Sequence, residues 1–187
     1  MRTELNAVEI EIARNRLASI AEEVGMALIR TSYSPNIKDR RDCSAGIYGP
    51  DGELISQAEH IPLHLGLMPT LITNVIAEYG AENLRPGDVL MTNNPYHGGS
   101  HLPDMCVITP VFTEDQIVAL VATMAHHVDV GGITPGSMAT HATEIFQEGI
   151  RVPPIRLFAR GELQRETLSL LLMNIRTADK TRGDLMA

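Results

Sequence analysis

The chain has 187 residues with 44% hydrophobic and 20% charged side chains, which is the composition of a folded domain with a real core. Its formal net charge of −8 argues against a nucleic-acid partner, because binding phosphates requires a basic surface. The longest apolar run, residues 117–125, is far shorter than the roughly 20 residues that a membrane-spanning helix needs.

Cysteine usage and the N-terminal residues bear on the compartment. Cys43 and Cys106 are widely spaced and form no paired motif, which is typical of a reducing environment. Glu4, Glu9 and Glu11 stand where a signal peptide would be apolar. We therefore expect a cytoplasmic protein in which both cysteines are small buried side chains.

A long helix is predicted at the start of the chain. Asn6 is a suitable N-cap residue, and Glu9 completes a capping box three positions later. The helix must end before Pro35, because proline disfavours a helical residue in front of it. Apolar residues recur at steps of three and four, which predicts one buried stripe made of Ile10, Ala13, Leu17, Ile20, Val24 and Ala27.

The middle of the chain predicts a hairpin, a helix and a short strand. Residues 44–48 and 53–57 flank a Gly-Pro-Asp-Gly turn, which is typical of a β-hairpin. A helix is predicted over 68–79, with Pro69 in its first turn and a glycine after its end. The strand is predicted over 89–92.

The remaining elements define the fold class. Residues 105–112 and 117–125 predict two buried strands joined by an acidic turn. Residues 131–154 are rich in Gly, Pro, Ser and Thr, which predicts a long ordered loop of the kind that usually carries function. A last helix is predicted over 162–178. We expect an α+β fold in which the N-terminal long helix and further helices flank a mixed or antiparallel sheet. No closing element follows the last helix, which indicates part of a larger protein.

Histidine is concentrated in one part of the chain. All seven histidines lie between positions 60 and 141, where His101-Leu-Pro-Asp104 is followed by the adjacent pair His126 and His127. Imidazole and carboxylate are the groups that hold Zn, Mn or Fe, so the sequence predicts a divalent metal site. Three further histidines are interpreted as hydrogen-bonded structural residues: His60, His64 and His141.

The pattern leaves two choices open at this site. Successive side chains of a strand point to opposite faces, so only one of His126 and His127 can easily join His101 and Asp104. The alternation does not choose between them. Asp42 is a further ligand candidate, and the alternative is an ion pair with the two arginines directly before it.

Several catalytic motifs are absent from the sequence. No GK[ST] phosphate loop, no GxGxxG dinucleotide motif and no GxSxG nucleophile elbow is present. Glu144 and Glu148 are candidates for a general base near a metal. The alternative is that they are solvated or pair with Arg151 and Arg156.

Five ordered segments resemble the hydantoinase B/5-oxoprolinase family. They cover residues 34–42, 57–66, 93–104, 125–137 and 144–151, so the resemblance extends over essentially the whole chain. Members of this family are much longer. Residues 1–187 therefore correspond to the N-terminal portion of a hydantoinase B-type domain.

The resemblance implies a metal-bearing subunit of an ATP-dependent cyclic amidase, such as 5-oxoprolinase or N-methylhydantoinase. ATP and Mg would be bound by a hydantoinase A-type partner, and a small cyclic amide would be the substrate of the hetero-oligomer. The alternatives are a subunit of an acetone or acetophenone carboxylase-like enzyme and a non-catalytic truncated binding module.

The resemblance also implies roles for individual residues. The metal ligands fall on His101, Asp104 and His126, with Asp42 as a fourth. The metal would acidify a bound water and polarise the activated carbonyl. His97 and His127 would carry protons or contact the developing oxyanion, which suits the histidine pKa of about 6.5.

Overall fold

The computed structural model describes residues 6–58 and 60–187. Glu4, and Glu59 within the quoted segment 57–66, lie outside the described residues. The α-helices are α1 (Ala7–Thr31), α2 (Pro35–Lys38), α3 (Pro62–Tyr79), α4 (Arg165–Met173) and α5 (Ala178–Leu185). The strands are β1 (Cys43–Tyr48), β2 (Leu54–Gln57), β3 (Val89–Thr92), β4 (Asp104–Thr113), β5 (Gln116–His126), β6 (Ile155–Ala159) and β7 (Glu162–Leu163).

The seven described strands form one sheet in the order β2-β1-β5-β4-β3-β6-β7. Every pairing between neighbours is antiparallel. The expected α+β class, with helices flanking an antiparallel sheet, is confirmed. Among the helices of the described residues, none combines the length and the hydropathy that a bilayer span requires.

Helices cover both faces of the sheet. On one face α3 packs against alternate residues of the central strands, among them Ile108, Leu120 and Met124. On the other face α1 contacts Ile47 and Ala125. The α4 and α5 helices cover the same second face over β3 and β6. A side chain of β4 or β5 therefore faces either α3 or the α1 and α5 side, depending on its position in the alternation.

Helix α1 begins as predicted but buries a different stripe. The Asn6 carboxamide oxygen accepts hydrogen bonds from the backbone of Val8 and Glu9, and Glu9 bonds back to the Asn6 backbone. The buried residues are Ala21, Gly25, Leu28 and Ile29, whereas Ile10 and Ile20 of the predicted stripe are exposed. The predicted stripe was wrong in part: its member Leu17 packs against Ala21, Ile47 and Ala58, but the fully buried face lies nearer the end of the helix.

Helix α3 begins six residues before the predicted start. Pro62 occupies its first turn, and Pro69, which the sequence assigned to that turn, lies inside the helix. Proline is tolerated best at a helix start, so either proline fits that role when only the sequence is considered. The earlier start matters because it puts His64 on the helix.

The predicted helix over 162–178 is wrong in part. Its first residues form the strand β7, which pairs with β6, and the helical residues divide into α4 and α5. The turn between β6 and β7 consists of Arg160 and Gly161, both with positive φ. Two-residue turns of this kind favour Asn-Gly or Asp-Gly, so an Arg-Gly pair gives a weak sequence signal.

The two faces of β4 give a stability prediction. Ile108 is fully buried under α3, whereas Val111 of the same strand faces the opposite side and is exposed. Ile108→Ala should lower the free energy of unfolding by about 2–4 kcal/mol, because it leaves a cavity in a packed core. Val111→Ala should cost less than about 1 kcal/mol. Urea denaturation of both variants measures the difference, and equal losses would contradict this assignment of the faces.

Candidate metal centre

The candidate site lies where β4 begins and β5 ends. Asp104 is the first residue of β4 and is paired directly with His126, the last residue of β5. Both belong to the set of strand residues that faces α3. The turn before β4 brings in His101, whose carbonyl accepts a hydrogen bond from the Asp104 backbone N–H at 3.0 Å.

Three side-chain atoms form an almost equilateral triangle. The distance from Asp104 Oδ1 is 3.0 Å to His101 Nε2 and 3.0 Å to His126 Nδ1. The two nitrogen atoms are themselves 3.0 Å apart. His101, Asp104 and His126 thus form a possible metal site. Lone pairs that converge so closely require a shared proton or a cation between them.

Burial differs sharply across the triangle. The Asp104 side chain is 2% exposed and that of His101 is 35% exposed, so the site opens to solvent on the His101 side. Burial acts to raise the pKa of Asp104, but hydrogen bonds from the surrounding histidines and Ser100 outweigh it and hold the pKa well below its usual range. The same carboxylate raises the pKa of His101, chiefly through their hydrogen bond. Asp104 is therefore an anion in the fold.

The second oxygen of Asp104 is held by two residues that the sequence did not assign to the site. The Ser100 hydroxyl donates to Oδ2. His64 Nε2 lies 3.2 Å from the same atom, and the His64 side chain is almost fully buried. A carboxylate accepts only, so Nε2 of His64 carries the proton. His64, interpreted from sequence as a structural residue, thus contacts the centre of the candidate site.

Ser44 of β1 extends this chain of contacts on the face of the sheet that α3 covers. Its hydroxyl lies 3.4 Å from His64 Nδ1 and 3.4 Å from the Ile61 carbonyl. Ser44, His64 and Asp104 follow the order of a nucleophilic triad, but Ser44 is fully buried and no substrate can reach it. The arrangement instead holds Asp104 so that Oδ1 points to the two histidines.

His126 and His127 separate as the alternation requires. His126 joins Asp104 on the α3 face, whereas His127 is buried on the opposite face, and its Nδ1 has no hydrogen-bond partner among the described residues. Burial lowers the pKa of His127 to about 4, although the nearby Asp184 carboxylate opposes the shift. His127 is therefore neutral at physiological pH and does not reach the triangle.

Asp42 lies next to the site through its backbone. Its carbonyl accepts a hydrogen bond from the His126 backbone N–H at 3.0 Å, and its negative charge contributes to the raised pKa of His101. Among the described residues it forms no ion pair with Arg40 or Arg41. The alternative interpretation of Asp42 as a partner of these arginines finds no contact in its favour.

His97 points to a different neighbour. Its Nδ1 lies 3.1 Å from Glu78 Oε2 on α3, although the angle is not that of a hydrogen bond. No described contact joins His97 to the triangle. Of the two glutamates considered as bases, Glu148 acts electrostatically on His101, and neither pairs with Arg151 or Arg156 within the described part of the chain.

The buried cysteines take no part in this chemistry. Burial raises the pKa of Cys43 to about 11 and that of Cys106 to about 12, so both are thiols at neutral pH. The expectation that both are small buried side chains is confirmed.

An α+β fold with two histidines and a carboxylate at one end of its central strands is a possible metalloprotein fold. A family model described as hydantoinase B/oxoprolinase matches residues 6–187. The chain therefore belongs to the hydantoinase B/oxoprolinase family, as the sequence motifs predict.

Named relatives support the same assignment. 5-Oxoprolinase 1 of Arabidopsis thaliana is 45% identical over 167 residues, which is 89% of this chain and 13% of the plant protein. The caprolactamase subunit beta of Pseudomonas jessenii is 32% identical over 184 residues, which is 98% of this chain and 31% of that subunit. The chain thus spans a third or less of the length of its curated relatives.

Two solved structures share the fold. The ATP-dependent caprolactamase from Pseudomonas jessenii superimposes with a TM-score of 0.87 at 27% identity, covering 98% of this chain and 31% of that one. A nucleotide-free acetone carboxylase gives a TM-score of 0.87 at 23% identity, covering 93% of this chain and 23% of that one. The second likeness shows the fold alone.

The triangle leads to a prediction about metal binding. His126→Ala should weaken the binding of Mn²⁺ or Zn²⁺ by at least about 100-fold, because it removes one of three converging ligands. His97→Ala is the matched control and should bind within about threefold of the unmodified protein. Competition with a chelating dye measures both affinities, and an unchanged affinity in His126→Ala would rule out the triangle as the site.

His64 gives a second, independent prediction. His64→Leu should reduce metal affinity about 10–100-fold, because Asp104 loses the donor that orients it. His64→Gln keeps an N–H donor and should lose less. Circular dichroism of the metal-free variants controls for folding. Equal affinities in His64→Leu and the unmodified protein would mean that His64 only fills space.

Proposed function

We propose that this chain is the metal-bearing part of a cytoplasmic, ATP-dependent enzyme that opens a cyclic amide ring. The reaction is of the 5-oxoprolinase or N-methylhydantoinase type. The observation that carries the proposal is the triangle of Asp104 Oδ1, His101 Nε2 and His126 Nδ1 with sides of 3.0 Å. Its opening toward solvent at His101 leaves room for a substrate carbonyl.

Two imidazoles and one carboxylate suit a divalent Zn, Mn or Fe ion, which His101, Asp104 and His126 would hold. When bound, such a cation supplies Lewis acidity toward a carbonyl oxygen and lowers the pKa of water.

The residues of the chain have distinct parts in this proposal. His101, Asp104 and His126 would hold the cation; Asp42, whose carboxylate lies outside this cluster but acts electrostatically on His101, is the candidate for a fourth ligand. His64 and Ser100 fix the Asp104 carboxylate from behind, so that only Oδ1 faces the site. A site fixed in this way loses little entropy when substrate arrives.

ATP would be bound by a partner subunit. The sequence contains no phosphate-binding loop. The similar protein of Pseudomonas jessenii is named as a subunit beta, and its solved structure is that of an ATP-dependent caprolactamase. We infer a hetero-oligomer in which a hydantoinase A-type subunit binds ATP and Mg and activates the amide. The present chain then receives the activated ring.

Proton transfer to the departing nitrogen is assigned to His97 or His127. His97 is partly exposed beside Glu78, so it can exchange protons with solvent. His127 is buried and neutral, so it is poorly suited to donate a proton to the departing nitrogen. Of the two, His97 is the better candidate on accessibility.

Ring opening is favoured over carboxylation by the strength of the likenesses. In the structural superpositions the caprolactamase is 27% identical, whereas the acetone carboxylase is 23% identical and shares the fold alone. A non-catalytic binding module is the remaining alternative. It would keep the metal site without turnover.

Asp104→Asn tests the proposal in the reconstituted enzyme. The full-length protein is combined with its A-type partner, ATP and 5-oxoproline, and the release of glutamate and ADP is measured with and without bicarbonate. Asp104→Asn should lower ring opening by at least about 100-fold, because it removes the charge of a metal ligand while keeping its shape. Asp115→Asn, in the exposed turn of the same hairpin, should retain the full rate.

Three outcomes would count against the proposal. An unchanged rate in Asp104→Asn would exclude the triangle from catalysis. Bicarbonate-dependent carboxylation without ring opening would identify a carboxylase. Metal binding without any turnover by the complete complex would identify a binding module.

A further inference from the structure

Arg151 is an arginine without a carboxylate partner near the candidate site. Arg14, Arg156 and Arg176 each pair with an acidic side chain. Arg151 is exposed and forms no hydrogen bond or ion pair with residues 6–58 or 60–187. None of its five N–H donors is therefore used in a hydrogen bond within the described part of the chain.

Two aromatic rings hold this guanidinium in place. Its central carbon lies 5.5 Å from the centre of the Tyr96 ring and 5.9 Å from that of Phe146. Both distances lie within the range of a cation–π contact. Tyr96 is 70% exposed and Phe146 is 73% exposed, so the rings are not there to fill a core. Arg151 is itself exposed, so solvent can reach its guanidinium.

Asn93 ties the backbone around Arg151 to the loop that carries His101. The buried Asn93 amide donates to the carbonyl of Leu102 at 2.7 Å and to that of Ile150 at 2.9 Å. Its oxygen accepts from the backbone N–H of Val152 at 2.7 Å. Leu102 follows His101, and Arg151 lies between Ile150 and Val152. One side chain thus ties the backbone on both sides of Arg151 to the loop that carries His101.

We propose that Arg151 binds an oxyanion of the substrate, either a carboxylate on the ring or the phosphate of an activated amide. A guanidinium presents paired donors that match the two oxygens of such a group. The inference rests on the proposed function for the identity of the ring. It adds Arg151 as the residue that would recognise the charge of such a ring or of its phosphorylated form.

Equilibrium binding to the metal-loaded, full-length protein tests this role without requiring turnover. The probes are 5-oxoproline, inorganic phosphate and the neutral ring 2-pyrrolidinone, measured by calorimetry. Arg151→Gln should weaken binding of at least one of the two anions about 10–100-fold and leave 2-pyrrolidinone within about twofold. Arg16→Gln, which changes an exposed arginine of α1, is the matched control and should change none of the three.

The pattern of losses identifies the anion. Loss of 5-oxoproline binding alone assigns Arg151 to a ring carboxylate, and loss of phosphate binding alone assigns it to an activated intermediate. Phe146→Leu should weaken the same anion about 2–5-fold, because the guanidinium loses one flanking ring.

Two results would overturn the inference. One is that the unmodified protein binds neither anion, and the other is that Arg151→Gln binds both as tightly as the unmodified protein. The binding experiment contains no ATP and no partner, so either result is compatible with ring opening by the complete enzyme. The proposed function is tested separately by the rate of Asp104→Asn.

Discussion

The pairing of Asp104 with His126 is the constraint on which the candidate site depends. Ten residue pairs join β4 and β5, and the register shifts between Val111 and Phe112 because Val118 has no opposite residue. Without this bulge, the register near the turn would set Asp104 against Ala125 and would place His126 on the opposite face of the sheet. A one-residue slip exchanges the two faces of a strand. The bulge therefore brings the carboxylate and the imidazole to the same face, an example of a strand irregularity that aims functional side chains.

Most of the fold and part of the candidate site could be predicted from the sequence. The capping box at Asn6 and the apolar runs of β4 and β5 are local signals, and the structure has these elements where the patterns predict them. The bulge at Val118 leaves no such signal, because an additional valine in an apolar strand looks like any other. The choice of His126 over His127 also depends on this register. Alternation indicates that the two separate, but the partner of each depends on a register that only the folded hairpin defines.

His64 was missed for a different reason. It lies 40 positions before Asp104, and its role depends on the start of α3 at Pro62 rather than near Pro69. Once the helix is extended backwards, its first turns lie against the start of β4. The His64 side chain then contacts the buried carboxylate of Asp104. Long-range contacts of this kind need both elements to be placed correctly, so a small error in one boundary removes the contact.

The exposed side of the site is built from segments without regular structure, and buried polar side chains hold them instead. Asn93 joins the loop before β4 to residues 150–152 through three hydrogen bonds. Asp129 does the same for the following loop, since its carboxylate accepts from the backbone of Gly131, Gly136 and Arg176. Each satisfies several backbone groups that no strand or helix satisfies. The sheet thus fixes Asp104 and His126, and these two clamps fix the loops on the exposed side of the candidate site. A loop held by few buried side chains can change its exposed residues without disturbing the clamp.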